Sequence, residues 1–586
     1  MPKTYFEIEY RLFDLTADSD STYTAVGADT SVSVISQLAS DRDPTDYMML
    51  EHNFSVLDGT KGYMPDDGTY PFCTTDLANS SGVFTTHPVI TDTFSDNHTS
   101  AGVLIHFLNN FPYEVIVTWY DKDNVQIDQK TYHPDQLDYF CENLVTNFRK
   151  VKIEITKTNP YMRVKINRIE YGQTYVWDED DVKDAKTTED VDMLSDKLSA
   201  NKLTMKFVDE SNEFNISNQG GMHLLLQKGQ TAKAFEYVDG ERLFRGNWFF
   251  KQYSSAKYLT SMTLEDYIGI MDASDYLNGG IINGTLAGVL IEDIFSVCGI
   301  EDYTIDDATY NTPLYGGLKL MTCRKAMREV LFAADSIILS TENDGLVIKK
   351  RDRLAPILLP RSRKFSTTMQ VNDYVSDVTV KYNEYEVEEN ASKLLEADYE
   401  AGTYTVQFNN PVVVSSLTIT ASVGTAVITE AAQLYATFTV SEAATVLIEG
   451  IKYKSTAASV TSSITDIEGG MVRKTKSFSG TLLNYTLAKE KADAILDYYS
   501  LRHSVKVSAM AGEHRCGDWI EIENPDETHG NFLAGMEKVT TDLSGGFIEN
   551  ATLVGYYKLE TAYPYAGVND SGGTVVDIYA GEEVTM

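Results

Sequence analysis

Alternation of apolar and polar positions is the dominant pattern of this chain. Val151-Lys152-Ile153-Glu154-Ile155 changes face at every residue, as a half-buried strand does. After Asn159-Pro160, Met162, Val164 and Ile166 face one way, while Ile169 and Tyr171 have changed register, which predicts a bulge or bend. From Glu114 to Tyr132 two stretches rich in β-branched and aromatic residues flank the turn formers Asp121-Lys122-Asp123-Asn124, a β-hairpin signal. Val115, Val117 and Trp119 share one face of its first strand, and Ile116, Thr118 and Tyr120 the other. Both faces are mostly apolar, so Trp119 reads as a core residue rather than a shelf for sugar.

These patterns divide the chain into eight parts and predict a mainly β, multidomain protein with α+β parts. Residues 1–44 open with an alternating strand and form an N-terminal strand and arm. Residues 45–172, many short strands with frequent turns, predict a jelly-roll β-sandwich. Residues 173–201 are dense in acids and poor in large apolar residues, which predicts an exposed acidic linker. Strands return over 202–275, punctuated by Gly229, Gly240 and Gly246, and predict a small curved β-barrel. Residues 276–395 are an α/β connecting region. In it a helix over Leu286–Cys298 stops at Gly299, and Thr322 caps a second helix with Ala326, Val330 and Ala333 on one face. Ser336–Thr341 and Leu346–Lys350 then make a hairpin. The Val-, Thr- and Ala-rich residues 396–468 predict a small inserted β-domain. Residues 469–560, with a helix over Leu487–Leu501, predict a second barrel, and residues 561–586 a polar C-terminal arm.

Charge and chemistry narrow the function. The formal net charge of −37 over 586 residues argues against tight nucleic-acid binding, which needs cationic surface to displace phosphate counterions. No segment reaches the ~18 apolar residues of a membrane span, and the N-terminus lacks the apolar core of a signal peptide. Cys73, Cys141, Cys298, Cys323 and Cys516 lack metal-ligand spacing and read as reduced, buried thiols. His52, His87, His98, His106 and His133 read as turn and surface residues. His503 and His514 near Cys516 do not by themselves make a catalytic pair. The run Asp178-Glu179-Asp180-Asp181 reads as a solvated face, because a glycosidase pair needs carboxyls from different elements across a cleft. HExxH, GxSxG, Walker and dinucleotide-turn motifs are absent. A non-enzymatic protein with no cofactor is expected, and no catalytic, cofactor-binding or metal-binding residue is singled out.

Several stretches carry a resemblance. Met49–Pro65, Thr91–Phe107, Glu114–Asp135 and Phe148–Gly172 together resemble the discoidin-like, galactose-binding-type jelly rolls of bacteriophage tail proteins. Leu224–Tyr253 resembles the first barrel of the phage tail-hub family, Cys323–Arg351 its helix-hairpin unit, and His503–Asn524 its second barrel. That resemblance implies a structural baseplate or tail-tip hub. It implies a homotrimer whose two similar barrels per subunit present a pseudo-sixfold face to a sixfold tail tube protein. A spike or tip protein lies on the opposite side, with other baseplate proteins around it. The location implied is the virion tail, after assembly in the bacterial host cytoplasm, with a lumen that passes DNA without binding it specifically. Two other readings compete: a receptor- or carbohydrate-binding tail protein that touches cell-surface glycan through the jelly roll, and a tail-associated peptidoglycan hydrolase.

Overall fold

The computed structural model describes residues 4–39, 50–51, 62–63, 70–108, 110–218, 221–238, 240–340, 345–351, 356–465, 473–512, 514–525, 530–558, 575–576 and 583–584. In chain order the principal strands are β1 (Thr4–Phe13), β2 (Thr22–Val26), β3 (Val89–Phe107), β4 (Glu114–Tyr120), β5 (Gln126–Tyr132), β6 (Asp138–Lys157), β7 (Lys165–Asp178), β8 (Val182–Asp190), β9 (Lys202–Val208), β10 (Thr231–Val238), β11 (Glu241–Ala256), β12 (Leu259–Glu265), β13 (Ile357–Leu359), β14 (Lys364–Val371), β15 (His503–Met510), β16 (Trp519–Ile522), β17 (Asn531–Asp542) and β18 (Ile548–Lys558). The longer helices are α1 (Ala287–Cys298), α2 (Cys323–Ala334) and α3 (Tyr485–Ser500). The protein is mainly β and multidomain, as its pattern predicts, with separate hydrophobic cores.

The N-terminal sandwich is built on two long strands. β3 and β6 stay paired from Val89↔Glu154 to His106↔Asp138, with register shifts between Thr93 and Gly102 where both bend. The outer half of β3 joins β2 and that of β6 joins β4, on which β5 pairs, while the inner half of β3 joins the first part of β7. Both halves feed one core in which Trp119, fully buried, meets Phe148 edge-on at 4.7 Å. The hairpin of β4 and β5 turns through Asn124 at φ 60, the left-handed conformation that asparagine tolerates. The predicted shift near Ile169 is present as a bulge between Ile166 and Arg168.

β1 is the alternating strand expected at the head of residues 1–44, and it is a central strand. It pairs with the last part of β7 on one side and with β10 on the other, and buries Phe6, Ile8, Tyr10 and Leu12. The sandwich is therefore inserted between two neighbouring strands of a second sheet, whose order is β7-β1-β10-β11-β12-β9-β8. Residues 173–201 are not an exposed linker. Trp177 and Val182 are buried and β8 pairs on both edges. The inward positions of β8 include the small Ala185 and Thr187, so the strand's buried face carries little hydrophobic signal.

Gly172 marks where β7 passes from sandwich to sheet. Its φ of +144 favours glycine, and a Cβ there would lie 2.1 Å from the Leu12 carbonyl oxygen. Gly172→Ala is expected to cost about 1–3 kcal/mol, read as faster amide exchange of β1 and β7.

β13 to β18 form another sheet in the order β13-β16-β17-β18-β15-β14 over its own core. Neither sheet closes into a barrel among the described residues. The physical reason is visible at β8, whose free edge pairs with β17 of the other sheet instead of closing back on β7. The turn after β17 also places Leu543 and Phe547 in the first sheet's core.

Between the two sheets in chain order lies the α/β part. α1 ends at Gly299 with φ 67, as its spacing predicts. Thr322 stands at the N-cap of α2 but makes no side-chain capping bond; its hydroxyl faces Asp272 at 3.5 Å. The hairpin of Ser336–Ser340 with Leu346–Lys350 forms as expected. Ile337 and Leu339 enter the second sheet's core while Ile338 enters that of the helices. Asp377–Val387 and Tyr453–Ser463 pair along their length and carry a small β-domain between Ser392 and Gly450, with Phe438, Val446 and Ile448 in its core. Most of the C-terminal arm, residues 561–586, lies outside the described residues.

Candidate assembly surface

Among the described residues, the groups weighed for chemistry have structural partners. His514 gives its Nε2 to the buried Glu549, and the Cys516 thiol donates to the Glu189 carbonyl oxygen at 3.4 Å. Burial pushes the Cys516 pKa well above its ordinary value, so the group is a thiol, not a thiolate. Trp119 is sealed in the sandwich core and offers no face to a sugar. Among the described residues no group of three or more His, Cys, Asp or Glu is placed to hold a metal. No described helix is long and apolar enough to cross a membrane. His52 lies outside the described residues.

One histidine, His98, is not the surface residue it was expected to be. His98 is buried, with Nδ1 2.9 Å from Asp14 Oδ2 and Nε2 3.0 Å from Asp20 Oδ2. His106 lies 2.7 Å from Asp138 and 2.9 Å from Glu170. Burial opposes the charged rings, yet the hydrogen bonds to Asp20 and Asp14, and to Glu170 and Asp138, outweigh it and raise both pKa values. Raised histidine pKa values give stability that is complete below the unfolded value of ~6.5 and fades as pH climbs through the folded one. The sandwich melting temperature is expected to fall as pH rises past about 6.5, and the His98→Gln variant to show a flatter profile.

The feature that the structure does build is a repeat. In the first sheet β10, β11, β12 and β9 pair in that order, all antiparallel, and β16, β17, β18 and β15 do the same in the second. The likeness extends to single residues. Leu203↔Leu264 corresponds to Val505↔Leu553, and Phe250↔Leu264 to Met536↔Leu553. Each long strand then bulges by one residue, Lys251 in β11 and Glu537 in β17, before pairing resumes at Gln252↔Thr263 and Lys538↔Thr552. The Phe250 amide donates to Gln230 O (2.7 Å) and its carbonyl accepts from Gly229 N (3.1 Å). Met536 does the same with Asp518 (2.9 Å) and Gly517 (2.8 Å). Gly229 and Gly517 have φ of +93 and +91. The flanking strands repeat too: β8 on β9 bulges between Val182 and Asp184, and β14 on β15 between Lys364 and Ser366. One difference is that β1 runs antiparallel to β10 while β13 runs parallel to β16.

The repeats are joined side by side. β8 of the first pairs with β17 of the second from Lys186↔Asp542 to Asp190↔Lys538, antiparallel and in the stretch just after the Glu537 bulge. Opposite charges stand at both ends of this ladder, with Lys186 Nζ 3.8 Å from Asp542 Oδ2. Sequence reading found the strand β1 but not its place in a repeat, and did not single out β14, because both lie far along the chain from the strands they join. Their only signal was alternation.

The fold thus defines a class: a mainly β protein carrying two registered copies of one open sheet, with a sandwich inserted in the first. No family model and no curated protein matches the chain. Among solved structures it is similar to a tail protein from Neisseria meningitidis, at 9% identity and a TM-score of 0.39, covering 65% of this chain and 93% of that one. A 43 kDa tail protein of a Shewanella oneidensis prophage is similar at 8% identity and a TM-score of 0.37, over 65% of this chain and 95% of that one. A prophage tail protein from Listeria monocytogenes is similar at 10% identity and a TM-score of 0.36, over 66% and 92%.

Proposed function

We propose that this chain is a non-enzymatic structural hub of a phage tail or tail-like particle, acting by assembly as a homotrimeric ring. The observation that carries the reading is the residue-level repeat. Two copies of one sheet in a single polypeptide offer two near-equivalent docking faces, so three chains supply six. Such a ring mates with a sixfold tube protein without any subunit adopting two shapes. The tail-hub resemblance of Leu224–Tyr253 and His503–Asn524 falls on strands of these two repeats and supports the same reading. A spike or tip protein occupies the other side, and the sandwich, discoidin-like in its sequence resemblance, braces neighbouring baseplate proteins. The net charge of −37 suits a conduit along which DNA slides without adhering.

Native mass spectrometry of the full chain, alone and mixed with its tube protein, tests the proposal. A species of three chains is expected; exclusively monomers or dimers in both samples would overturn it.

A further inference from the structure

The geometry points to the two strand edges through which one copy of this chain joins the next: β14 of one copy adds, antiparallel, to the stretch of β11 after its bulge in the neighbour. This inference rests on the ring reading above and deepens it by naming the contact.

The template is the ladder already present inside the chain. β8 occupies the position in the first repeat that β14 occupies in the second, since Thr188 faces Lys202 as Gln370 faces Ser504. The β11 stretch Gln252–Ala256 likewise matches Lys538–Asp542 of β17, since Ser254 faces Ser261 as Thr540 faces Asn550. Within the chain β8 and β17 are paired. Their counterparts are not: among the described residues β14 ladders only with β15, and Gln252–Ala256 only with β12. The Asn215–Ile216 loop bonds this stretch of β11 through a side chain. Its Ile216 N–H reaches the Ser255 hydroxyl at 3.1 Å, and Asn215 Nδ2 reaches the Lys257 carbonyl beyond the strand end.

A long unpaired edge is a pairing template, and soluble proteins protect theirs with charge, proline or a cover. β14 carries neither charge nor proline along Phe365–Val371, where Phe365 and Val371 are each 60% exposed, and the Glu523–Pro525 loop bonds the strand through the Lys364 ammonium and the Thr367 hydroxyl. Copying the register of the internal ladder, where Thr188 faces Thr540 and Glu189 faces Val539, places Gln370 opposite Ser254 and Val371 opposite the half-buried Tyr253. An edge valine thus meets an aromatic ring, a favourable cross-strand pair. One chain has one donor edge and one acceptor edge, so the contact is head-to-tail, and a repeated rotation closes it.

The test is a cross-link in the full chain. Directly opposed antiparallel residues lie about 4.5–5.5 Å apart between Cα atoms, within disulfide range. Gln370 and Ser254 are both exposed, so replacing them disturbs no core. The double variant Gln370→Cys, Ser254→Cys, oxidised under conditions where native mass spectrometry shows trimer, is expected to convert most chains to a covalent trimer on a non-reducing gel. Each single variant should stay monomeric there, and Gln370→Cys with Gln252→Cys, two residues out of register, should cross-link far less. A trimeric mass, unchanged in the reduced double variant, without the covalent species would overturn these edges while leaving the ring intact. Absence of any trimer would remove both.

Discussion

Asp335→Ala is expected to destabilise the helical part by about 3–5 kcal/mol at pH 7, the cost of leaving a buried charge without its partner. Lys491 projects from α3 with its side chain 1% exposed, and its Nζ lies 2.6 Å from Asp335 Oδ1. Arg351 holds the same carboxylate at 2.7 and 2.9 Å. Asp335 itself ends α2 in the left-handed conformation, so this one residue closes one helix and anchors another. Burial lowers the Lys491 pKa to about 8 even with its partner present. A depressed lysine pKa means the unfolded chain holds more protons between that value and ~10.4, so stability rises with pH across the interval. The gap between variant and wild type should therefore narrow from pH 7 to pH 9. Amide exchange of α2 and α3 reads it, and Lys491→Met added to Asp335→Ala should recover most of the loss.

Glu170→Gln is expected to cost a similar ~3–5 kcal/mol, localised where the sandwich meets the first sheet. The Glu170 carboxylate, 4% exposed, accepts from Arg11 of β1, from Arg168 of its own strand at 2.7 Å and from His106 of β3 at 2.9 Å. Glutamine keeps the shape but removes the carboxylate that Arg11, Arg168 and His106 share, while Asp18, 3.7 Å from Arg168, and Asp138, 2.7 Å from His106, stay in place. Burial works against the charged carboxylate, yet His106, Arg11 and Arg168 hold its pKa below the ordinary value. That contribution is present above ~4.3 and is lost as pH falls through the folded value. Acid should loosen the wild-type junction, and Glu170→Gln should be loosened already at neutral pH. Limited proteolysis of the junction at pH 7 and below pH 4 separates the two behaviours.

Elements with large alternating side chains were legible from sequence alone. Val151–Ile155, the hairpin around Asp121–Asn124, the helix stopped at Gly299 and the hairpin ending at Lys350 all form where the pattern puts them. The acidic segment failed for a local reason: β8 buries the small Ala185 and Thr187 and carries half-buried Asp184, Glu189 and Asp190, a composition that mimics a solvated linker. The closed barrels failed for a non-local one. Whether a curved sheet closes or lends its edge to another depends on which strand meets that edge, and β8 and β17 are separated by hundreds of residues. The repeat itself was visible only as a general likeness of two strand-rich regions. Its register is written in pairings and matching bulges rather than in shared side chains, as Phe250 against Met536 and Lys251 against Glu537 illustrate.

β7 runs unbroken from Lys165 to Asp178, hydrogen-bonded to β3 in its first half and to β1 in its second. A crowbar works because one stiff piece spans the fulcrum, and this strand spans the boundary between the sandwich and the first sheet in the same way. A sideways load on the sandwich reaches the first sheet as torque along one backbone, with its pivot at Gly172, where a Cβ would meet the Leu12 carbonyl.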